Sequence, residues 1–258
     1  TDVVVTVEGR SFPADKKVLA AGAQYFERLF ESEYGDRNAP VLKGVTAAAF
    51  EPLLAFLYEG SVAVAEELIT PLLHAADYLG VEPLKEAAVG ALVERLAPSN
   101  ALAAWTLADD LSLPSLAVAA KETALRGFEE LGESLLEAPL AQVEALVADE
   151  RLTARSEDAV FSAVARVAEK QRPEEAALLA VLRHLRFPLM QREFVEQTVC
   201  QWPMLDTKDG QKLLLGAMMD SNFGAALPRR VGFGPRHLYA VGGEGGISEY
   251  LTAVEVYD

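Results

Sequence analysis

The residues most capable of chemistry in this sequence are three histidines, one cysteine and an acidic pair. A metal site would need His, Cys, Asp or Glu repeated at short spacing, and a nucleophilic site would need a base close to the nucleophile. His74, His184 and His237 lie on separate segments, with no cysteine or carboxylate at metal-ligand spacing to any of them. The sequence therefore predicts neither a metal site nor a bound cofactor, and we expect His74 to be a partly buried helical residue.

Cys200 has no histidine or basic cluster beside it, so we expect a buried, unreactive thiol. One cysteine excludes an internal disulfide, which is consistent with a reducing compartment inside the cell. Asp109 and Asp110 form a conspicuous acidic pair, but successive helical positions point about 100° apart, so one of them should face solvent. With no catalytic residues to assign, we predict that the chain is not an enzyme.

Composition limits the possible partners. The chain has 258 residues, of which 51% are apolar, so it is long enough for two modest domains with hydrophobic cores. Its formal net charge of −16 repels phosphate backbones, so we expect no nucleic-acid partner. No apolar run reaches the roughly 18 residues that a membrane-spanning helix needs, so we expect no membrane partner.

The N-terminal segment from Asp2 to Phe30 has the pattern of a strand, a tight turn, a second strand and one helix. Val3, Val5 and Val7 alternate with other residues, which is typical of a half-buried strand. Gly9 supplies the turn. After Pro13 the apolar residues follow helical spacing as far as Phe30, and Gly22 within this helix should permit close packing.

The rest of the chain is predicted to be almost entirely helical. Capping residues mark several helix ends: Thr46 and Ser156 are good N-caps, Gly60 and Gly80 are suited to C-caps, and Pro83 is suited to a helix start. One helix is predicted from about Glu66 to Leu79. Val41-Leu42 is predicted to form a short edge strand, and from residue 98 to about 222 only helices are expected, stacked in pairs.

The N-terminal part resembles a BTB (POZ) domain. The residues that carry the resemblance are Asp2-Val3, Gly9, Phe12-Pro13-Ala14, Val18-Leu19-Ala20-Ala21 and Tyr25-Phe26. Two positions depart from the family pattern: Asp15 stands where the family often has His, and Ala23 where it often has Ser. We predict that this domain occupies residues 1–97.

The middle of the chain resembles a BACK domain, and the tail resembles the start of a Kelch repeat. The BACK-like residues are Leu96-Ala97-Pro98-Ser99-Asn100-Ala101, Leu152, Ser156-Glu157-Asp158-Ala159-Val160-Phe161, Leu182 and Arg186-Phe187-Pro188-Leu189-Met190. Ala101 replaces a common Cys, and Val167 replaces the usual Trp. The Kelch-like residues are Leu238-Tyr239-Ala240-Val241-Gly242-Gly243 and Glu255-Val256-Tyr257-Asp258. We predict a BACK domain over 98–222, then a linker and an incomplete first Kelch repeat over 223–258.

These resemblances imply an α+β fold in which a small sheet capped by helices precedes an all-α array of stacked hairpins. A Kelch blade needs about 50 residues, so we expect the tail not to complete one, and to be disordered or to pair with a borrowed edge. Gly242-Gly243-Glu244-Gly245-Gly246 could suggest a phosphate loop. Strand-like residues follow it where such a loop must open a helix, so structural glycines are the better interpretation.

The family resemblance also implies a function: adaptors of this type hold protein substrates for a cullin-3 RING ubiquitin ligase. Tyr34-Gly35-Asp36 falls where such adaptors carry a hydrophobic-x-Glu motif that contacts the cullin, with Asp36 in place of the usual Glu. By resemblance Tyr58 borders the same surface, while its position at a helix end favours packing on the core as its main role. Residues 98–126 resemble the "3-box" helices that extend the cullin groove, and could also be a hairpin packed on the first domain.

The resemblance further implies a protein of the cytoplasm, with the nucleus as a second location. Its substrate would bind the Kelch propeller that is missing from this sequence. Family members form homodimers through a helix and strand that precede the position of Asp2, a segment this sequence lacks. An alternative within the family is a non-degradative scaffold, acting in transcription or on the cytoskeleton through BTB self-association.

Overall fold

The computed structural model describes residues 1–32 and 38–220, residue 230, and four short strands between 238 and 257; side chains are described up to residue 216 and at residue 230. The chain divides into two compact units. Unit 1 comprises Thr1–Leu96 with Ala104–Ala120, and unit 2 comprises Ala97–Ala103 with Lys121–Asp258. The domain limits given above stay predictions.

Unit 1 is built on a three-stranded sheet of order β2-β1-β3. β1 (Val3–Val7) pairs antiparallel with β2 (Arg10–Ala14) and parallel with β3 (Val41–Leu42). The three alternating valines of β1 are buried, as the sequence predicts. The hairpin turn places Glu8 and Gly9 at φ of 49° and 78°, and this left-handed conformation explains the glycine.

The prediction of a single helix between Pro13 and Phe30 is wrong. Two helices, α1 (Lys16–Gly22) and α2 (Gln24–Glu31), are separated by Ala23, whose backbone is extended. The N–H of Gln24 donates to the carbonyl of Gly80 at 3.4 Å, so a tertiary contact replaces a bond within the helix. The close packing expected at Gly22 is confirmed, because an added Cβ would lie 2.5 Å from Cδ2 of Leu57.

Helices pack on the sheet of unit 1, and their ends agree with the capping residues of the sequence. They are α3 (Ala47–Glu59), α4 (Glu66–Leu79) and α5 (Glu82–Glu94), which share a core with the strands. α6 (Pro98–Asp110) and α7 (Pro114–Arg126) follow; each lies partly in unit 1, and their buried residues there pack on α4 and α5. Thr46 accepts a hydrogen bond from the N–H of Ala49 at 3.3 Å, and Gly60 and Gly80 adopt left-handed φ. His74, expected to be partly buried, is exposed because it points away from the apolar face of α4.

Unit 2 is helical over its described residues up to 220. Its remaining helices are α8 (Glu133–Glu137), α9 (Leu140–Val147), α10 (Glu157–Gln171), α11 (Glu175–Leu182), α12 (Arg192–Phe194) and α13 (Lys208–Asp220). The ring of Phe161 is 1% exposed and lies edge-on to Trp202, with ring centroids 5.4 Å apart. The predicted α+β class, with a helical region after the small sheet, is confirmed.

The prediction that the thiol of Cys200 is buried is also wrong, because Cys200 is exposed. A π-helix over Val195–Val199 directly precedes it, and the N–H of Cys200 donates to the carbonyl of Val195, five residues back. The wider turn buries Val199 and directs the next side chain to solvent.

The described strands of the tail pair with each other. β4 (Leu238–Ala240) is antiparallel to β7 (Glu255–Tyr257), and β5 (Glu244–Gly245) is antiparallel to β6 (Glu249–Tyr250). The strands expected on the two sides of the glycine run are therefore present. Their partners lie within the tail itself, whereas the sequence suggested disorder or a borrowed edge.

Candidate protein-binding surface

The sequence-predicted contact residues Tyr34, Gly35 and Asp36 lie outside the described residues. The structure does describe the helix that leads to them. α2 ends at Glu31, and the N–H of Ser32 closes its last turn by donating to the carbonyl of Arg28 at 3.0 Å. Ser32 also lines a cavity of about 360 Å³ in unit 1, so the chain enters the predicted contact segment from the edge of this cavity.

We call this cavity the tyrosine groove. It is formed by the outer face of α2 and the C-terminal end of α4, and it is lined by Gln24, Tyr25, Arg28, Leu29, Ser32, Asp77, Tyr78, Leu79 and Gly80. The extended residue Ala23 sets the direction of α2, and the left-handed Gly80 ends α4 beside it. A Cβ at Gly80 would lie 2.9 Å from Cβ of Gln24, so only glycine fits at this crossing.

Two tyrosines form the aromatic part of the groove. The rings of Tyr25 and Tyr78 lie with centroids 5.6 Å apart, and Tyr25 also packs edge-on against the buried Phe26. Tyr78 is 49% exposed. Burial, and then the neighbouring Tyr78, raise the pKa of Tyr25 above its ordinary value, so its hydroxyl remains a donor at neutral pH. A rigid ring with a polar tip is the kind of side chain that anchors protein interfaces.

The charged groups of the groove are arranged around these rings. Asp77 forms an ion pair with Lys85 on α5, in which Nζ of Lys85 donates to Oδ1 of Asp77 at 2.6 Å. This hydrogen bond raises the pKa of the Lys85 ammonium. Arg28 is exposed on the opposite wall, on α2. The groove therefore offers a partner one paired acid, one exposed guanidinium and an aromatic floor.

Neither Tyr25 nor Tyr78 is among the contact residues that the sequence predicts. Tyr25 belongs to the apolar face of its helix, which predicts a packing role. Tyr78 lies outside the apolar face of α4, and a large aromatic residue on the polar side of an amphipathic helix was a signal that could have identified it.

Tyr58 lies away from the groove lining, at the end of α3. Its hydroxyl accepts a hydrogen bond from the N–H of Asp15 at 2.8 Å and donates to Oδ2 of Asp15 at 3.2 Å. Tyr58 thus ties the end of α3 to the residue that precedes α1, while 47% of it remains exposed. This contact gives it a structural role, and its contact with a cullin stays a prediction.

The helices predicted to resemble a 3-box pack on the first domain in their central part. Ala108, Leu113 and Leu116 are buried in one cluster with Ile69, Leu73, Ala88 and Val89 of α4 and α5. Val118 of α7 is 61% exposed. Packing on one face and an open opposite face are both present here, as the two interpretations of the sequence require.

The structure also locates the metal-ligating and acidic residue types considered in the sequence. Among them, no cluster of three or more His, Cys, Asp and Glu side chains could hold a metal ion. Asp109 and Asp110 are both exposed at the end of α6. In the same part of the chain, none of the helices combines the length and apolar character needed to cross a membrane.

Comparison with known proteins places these units in families. Residues 1–96 match the BTB/POZ domain model, and residues 101–200 match the BACK (BTB And C-terminal Kelch) model. Kelch-like protein 7 of Mus musculus is 29% identical over 223 residues, covering 84% of this chain and 38% of the relative. Kelch-like protein 24 of Homo sapiens is 30% identical over 207 residues, covering 77% of this chain and 34% of the relative.

The chain thus spans little more than a third of the length of these relatives. Among solved structures, the BTB domain of zebrafish PATZ1 is 30% identical and covers 35% of this chain and 74% of its own, with a TM-score of 0.33. The assignment rests on the two domain models in this order and on the relatives that share both. The chain belongs to the BTB-BACK-Kelch family.

Proposed function

We propose that the chain is the cullin-docking part of a substrate adaptor for a cullin-3 RING ubiquitin ligase. The observation that carries this proposal is the tyrosine groove, an open aromatic surface on a BTB domain at the start of the segment that contains Tyr34 and Asp36. A cullin N-terminal helix that docks in the groove would bury the exposed ring of Tyr78.

The charge of the chain supports a protein partner for this surface. The net charge of −16 disfavours nucleic acid and favours association with a basic protein partner. Arg28 adds a donor that can form a bidentate bond with a carboxylate of the partner. The energy of such an interface is expected to come mainly from the aromatic anchors, with the charges setting orientation and association rate.

The proposed mechanism is recruitment. The BTB unit and the α6–α7 helices dock the cullin, and a substrate-binding region elsewhere in the full-length protein holds the target. Ubiquitin transfer is then accelerated because the target and the enzyme that carries activated ubiquitin are held together at high effective concentration. The adaptor itself supplies no reacting group.

Isothermal titration with the purified cullin-3 N-terminal domain tests the proposal. We expect Tyr78→Ala and the double variant Tyr34→Ala/Asp36→Ala each to weaken binding by about 10-fold to 100-fold, because interface anchors contribute roughly 1.4–2.8 kcal/mol or more. Asp36→Glu restores the longer carboxylate that the family uses, and we expect it to strengthen binding.

Val41→Ala is the matched control, because Val41 is 62% exposed on the edge strand, outside the groove lining. Circular dichroism on each variant checks that the fold is kept. Wild-type protein that is folded and does not bind the cullin would overturn the proposal and favour the non-degradative scaffold. Binding that Tyr78→Ala and the double variant leave unchanged would remove these residues from the interface.

A further inference from the structure

Unit 2 contains a buried ion pair that the helical pattern of the sequence does not predict. The side chains of Glu157 and Arg230 are 0% and 1% exposed, and Nε of Arg230 donates to Oε1 of Glu157 at 2.7 Å. The two residues are 73 positions apart in the chain. A buried charge is costly unless it is paired and fully hydrogen-bonded, so the surroundings of this pair determine what it does.

Every donor of the Arg230 guanidinium has an acceptor. Besides the Nε bond, Nη1 donates to the carbonyls of Val147 and Asp149, the latter at 3.2 Å. Nη2 donates to the carbonyl of His184 at 2.9 Å and lies 3.5 Å from Oε2 of Glu157. A guanidinium has five N–H donors in a fixed planar fork, and all of them are satisfied here.

The acceptors come from three helix ends. Val147 is the last residue of α9, His184 follows α11 by two residues, and Glu157 is the first residue of α10. Carbonyl groups at the C-terminal end of a helix lack partners within the helix and carry partial negative charge. Glu157 is itself held by the N–H of Arg186, which donates to Oε2 at 3.4 Å. These ends converge on one guanidinium.

We propose that Val147, Asp149, Glu157 and His184 form a guanidinium socket whose ligand is Arg230 of the same chain. Occupation of the socket is a latch that fixes Arg230, the point from which the chain continues towards the strands of the tail, on the helices of unit 2. The latch is a local device: it can open while α10 and the other helices of unit 2 stay folded. That this fixed point also sets where a substrate-binding region begins rests on the proposed function, and the test below does not depend on it.

Limited trypsin digestion measures the latch directly, because trypsin must take the Arg230 side chain into its own pocket before it can cut after it. Arg229 precedes Arg230, so the experiment uses the full chain with Arg229→Gln, which leaves one cleavage position there. We expect slow cleavage of the Arg230–Val231 bond. Glu157→Gln should accelerate it by roughly 10-fold to 100-fold, because the charge-assisted pair is lost while the cleavage residue is kept.

Arg230→Lys is a second, independent variant. Lysine keeps the charge and the trypsin site but cannot satisfy the forked set of acceptors, so cleavage after position 230 should also accelerate. Glu150→Gln is the matched control, because Glu150 pairs with Arg186 and is itself 61% exposed. We expect this control to leave the cleavage rate at Arg230 unchanged.

Cleavage within α10 at Arg166 and Lys170 serves as the reference for unfolding of the whole unit. Selective acceleration at position 230 supports the latch. The latch would be overturned if the Arg229→Gln chain with Glu157 and Arg230 intact were cut at Arg230 as fast as the urea-unfolded chain. It would also be overturned if neither Glu157→Gln nor Arg230→Lys accelerated cleavage at position 230, or if cleavage accelerated equally at position 230 and within α10.

Discussion

Unit 1 and unit 2 differ in the polarity of their buried side chains. In the described part of the chain, the buried polar or charged side chains are Gln142, Glu157 and Arg230, all of which lie in unit 2. The buried side chains of unit 1 are apolar and surround the sheet, with Phe26, Phe50 and Leu19 fully enclosed. The Arg10–Glu51 ion pair and the hydroxyl of Tyr58 lie at its surface.

This difference separates two ways of specifying a helical arrangement. In unit 1, apolar shape is sufficient because a sheet provides a defined surface on which the helices pack. Unit 2 lacks such a platform in its described helical part, and a single guanidinium connects three helix ends there. Polar groups in unit 1 are therefore available for binding, whereas those at the centre of unit 2 are committed to the fold.

Aromatic core residues give the largest expected effect. We expect Phe50→Ala in unit 1 and Phe161→Ala in unit 2 each to lower the free energy of unfolding of its own unit by about 3–5 kcal/mol, because each leaves a cavity in a close-packed core. Phe50 contacts Phe12 edge-on at 5.1 Å, and Phe161 makes similar contacts. Urea unfolding followed by tryptophan fluorescence measures both.

Each unit has its own fluorophore for this measurement. The chain has two tryptophans, Trp105 in unit 1 and Trp202 in unit 2. With Trp105→Phe the signal comes from unit 2, and with Trp202→Phe it comes from unit 1. If Phe161→Ala moved both signals equally, the two units would unfold as one and the comparison would fail.

An acid-sensitive group gives an intermediate effect that should appear in unit 2. Asp149 accepts hydrogen bonds from Arg151 at 3.0 Å and from Lys121 at 2.8 Å, and these bonds, that from Arg151 first, hold its pKa well below the ordinary value. Because the pKa of Asp149 is lower in the folded state than in the unfolded state, its carboxylate stabilises the fold at pH values above the unfolded pKa. This stabilisation is lost as the pH falls towards the folded pKa. We expect Asp149→Asn to cost about 1–2 kcal/mol at pH 7 and to flatten the stability curve between about pH 5 and pH 2.

Glu137→Gln provides the control for this experiment. The hydrogen bond from Lys170 also lowers the pKa of Glu137, but the Glu137 side chain is 72% exposed. Solvent screens such a pair, so its removal should leave the slope of stability against pH unchanged. Equal slopes for wild type and Asp149→Asn would contradict the role of Asp149.

The helix caps should give the smallest difference between the units. Thr46 begins α3 in unit 1 and Ser156 begins α10 in unit 2, and each accepts a hydrogen bond from the third helical residue, at 3.3 Å and 3.2 Å. Thr46→Ala and Ser156→Ala should each cost about 1 kcal/mol in the urea measurement. Thr46→Ser keeps the acceptor oxygen and should cost much less; a loss as large as that of the alanine variant would show that the hydroxyl bond is not what stabilises the helix.

Local signals allowed much of the fold to be predicted. α4 begins and ends where the sequence indicates, because Gly80 supplies its left-handed cap, and the caps at Thr46 and Ser156 follow from residue type alone. The break at Ala23 could not be predicted in this way. Leu19 and Phe26 are seven residues apart and would share one face of a continuous helix too, so apolar spacing does not distinguish the two arrangements.

The candidate surfaces depended on tertiary contacts and were less predictable. Glu157 had the sequence position of a first-turn acid that favours the helix dipole, yet it is buried against Arg230. The partner lies 73 positions away in a stretch without periodic pattern. Tyr25 and Tyr78 likewise meet only because α2 and α4 cross, whereas the family resemblance predicts contact residues at Tyr34 and Asp36.

The separation between Glu157 and Arg230 has a consequence for synthesis on the ribosome. The nascent chain emerges from its N-terminus, so the helices of unit 2 leave the exit tunnel before residue 230 does. During that interval the carboxylate of Glu157 lacks its buried counter-charge and must remain hydrated. The helices of unit 2 can therefore fold first, and the latch closes only after residue 230 has left the exit tunnel, which orders the assembly of the protein in time.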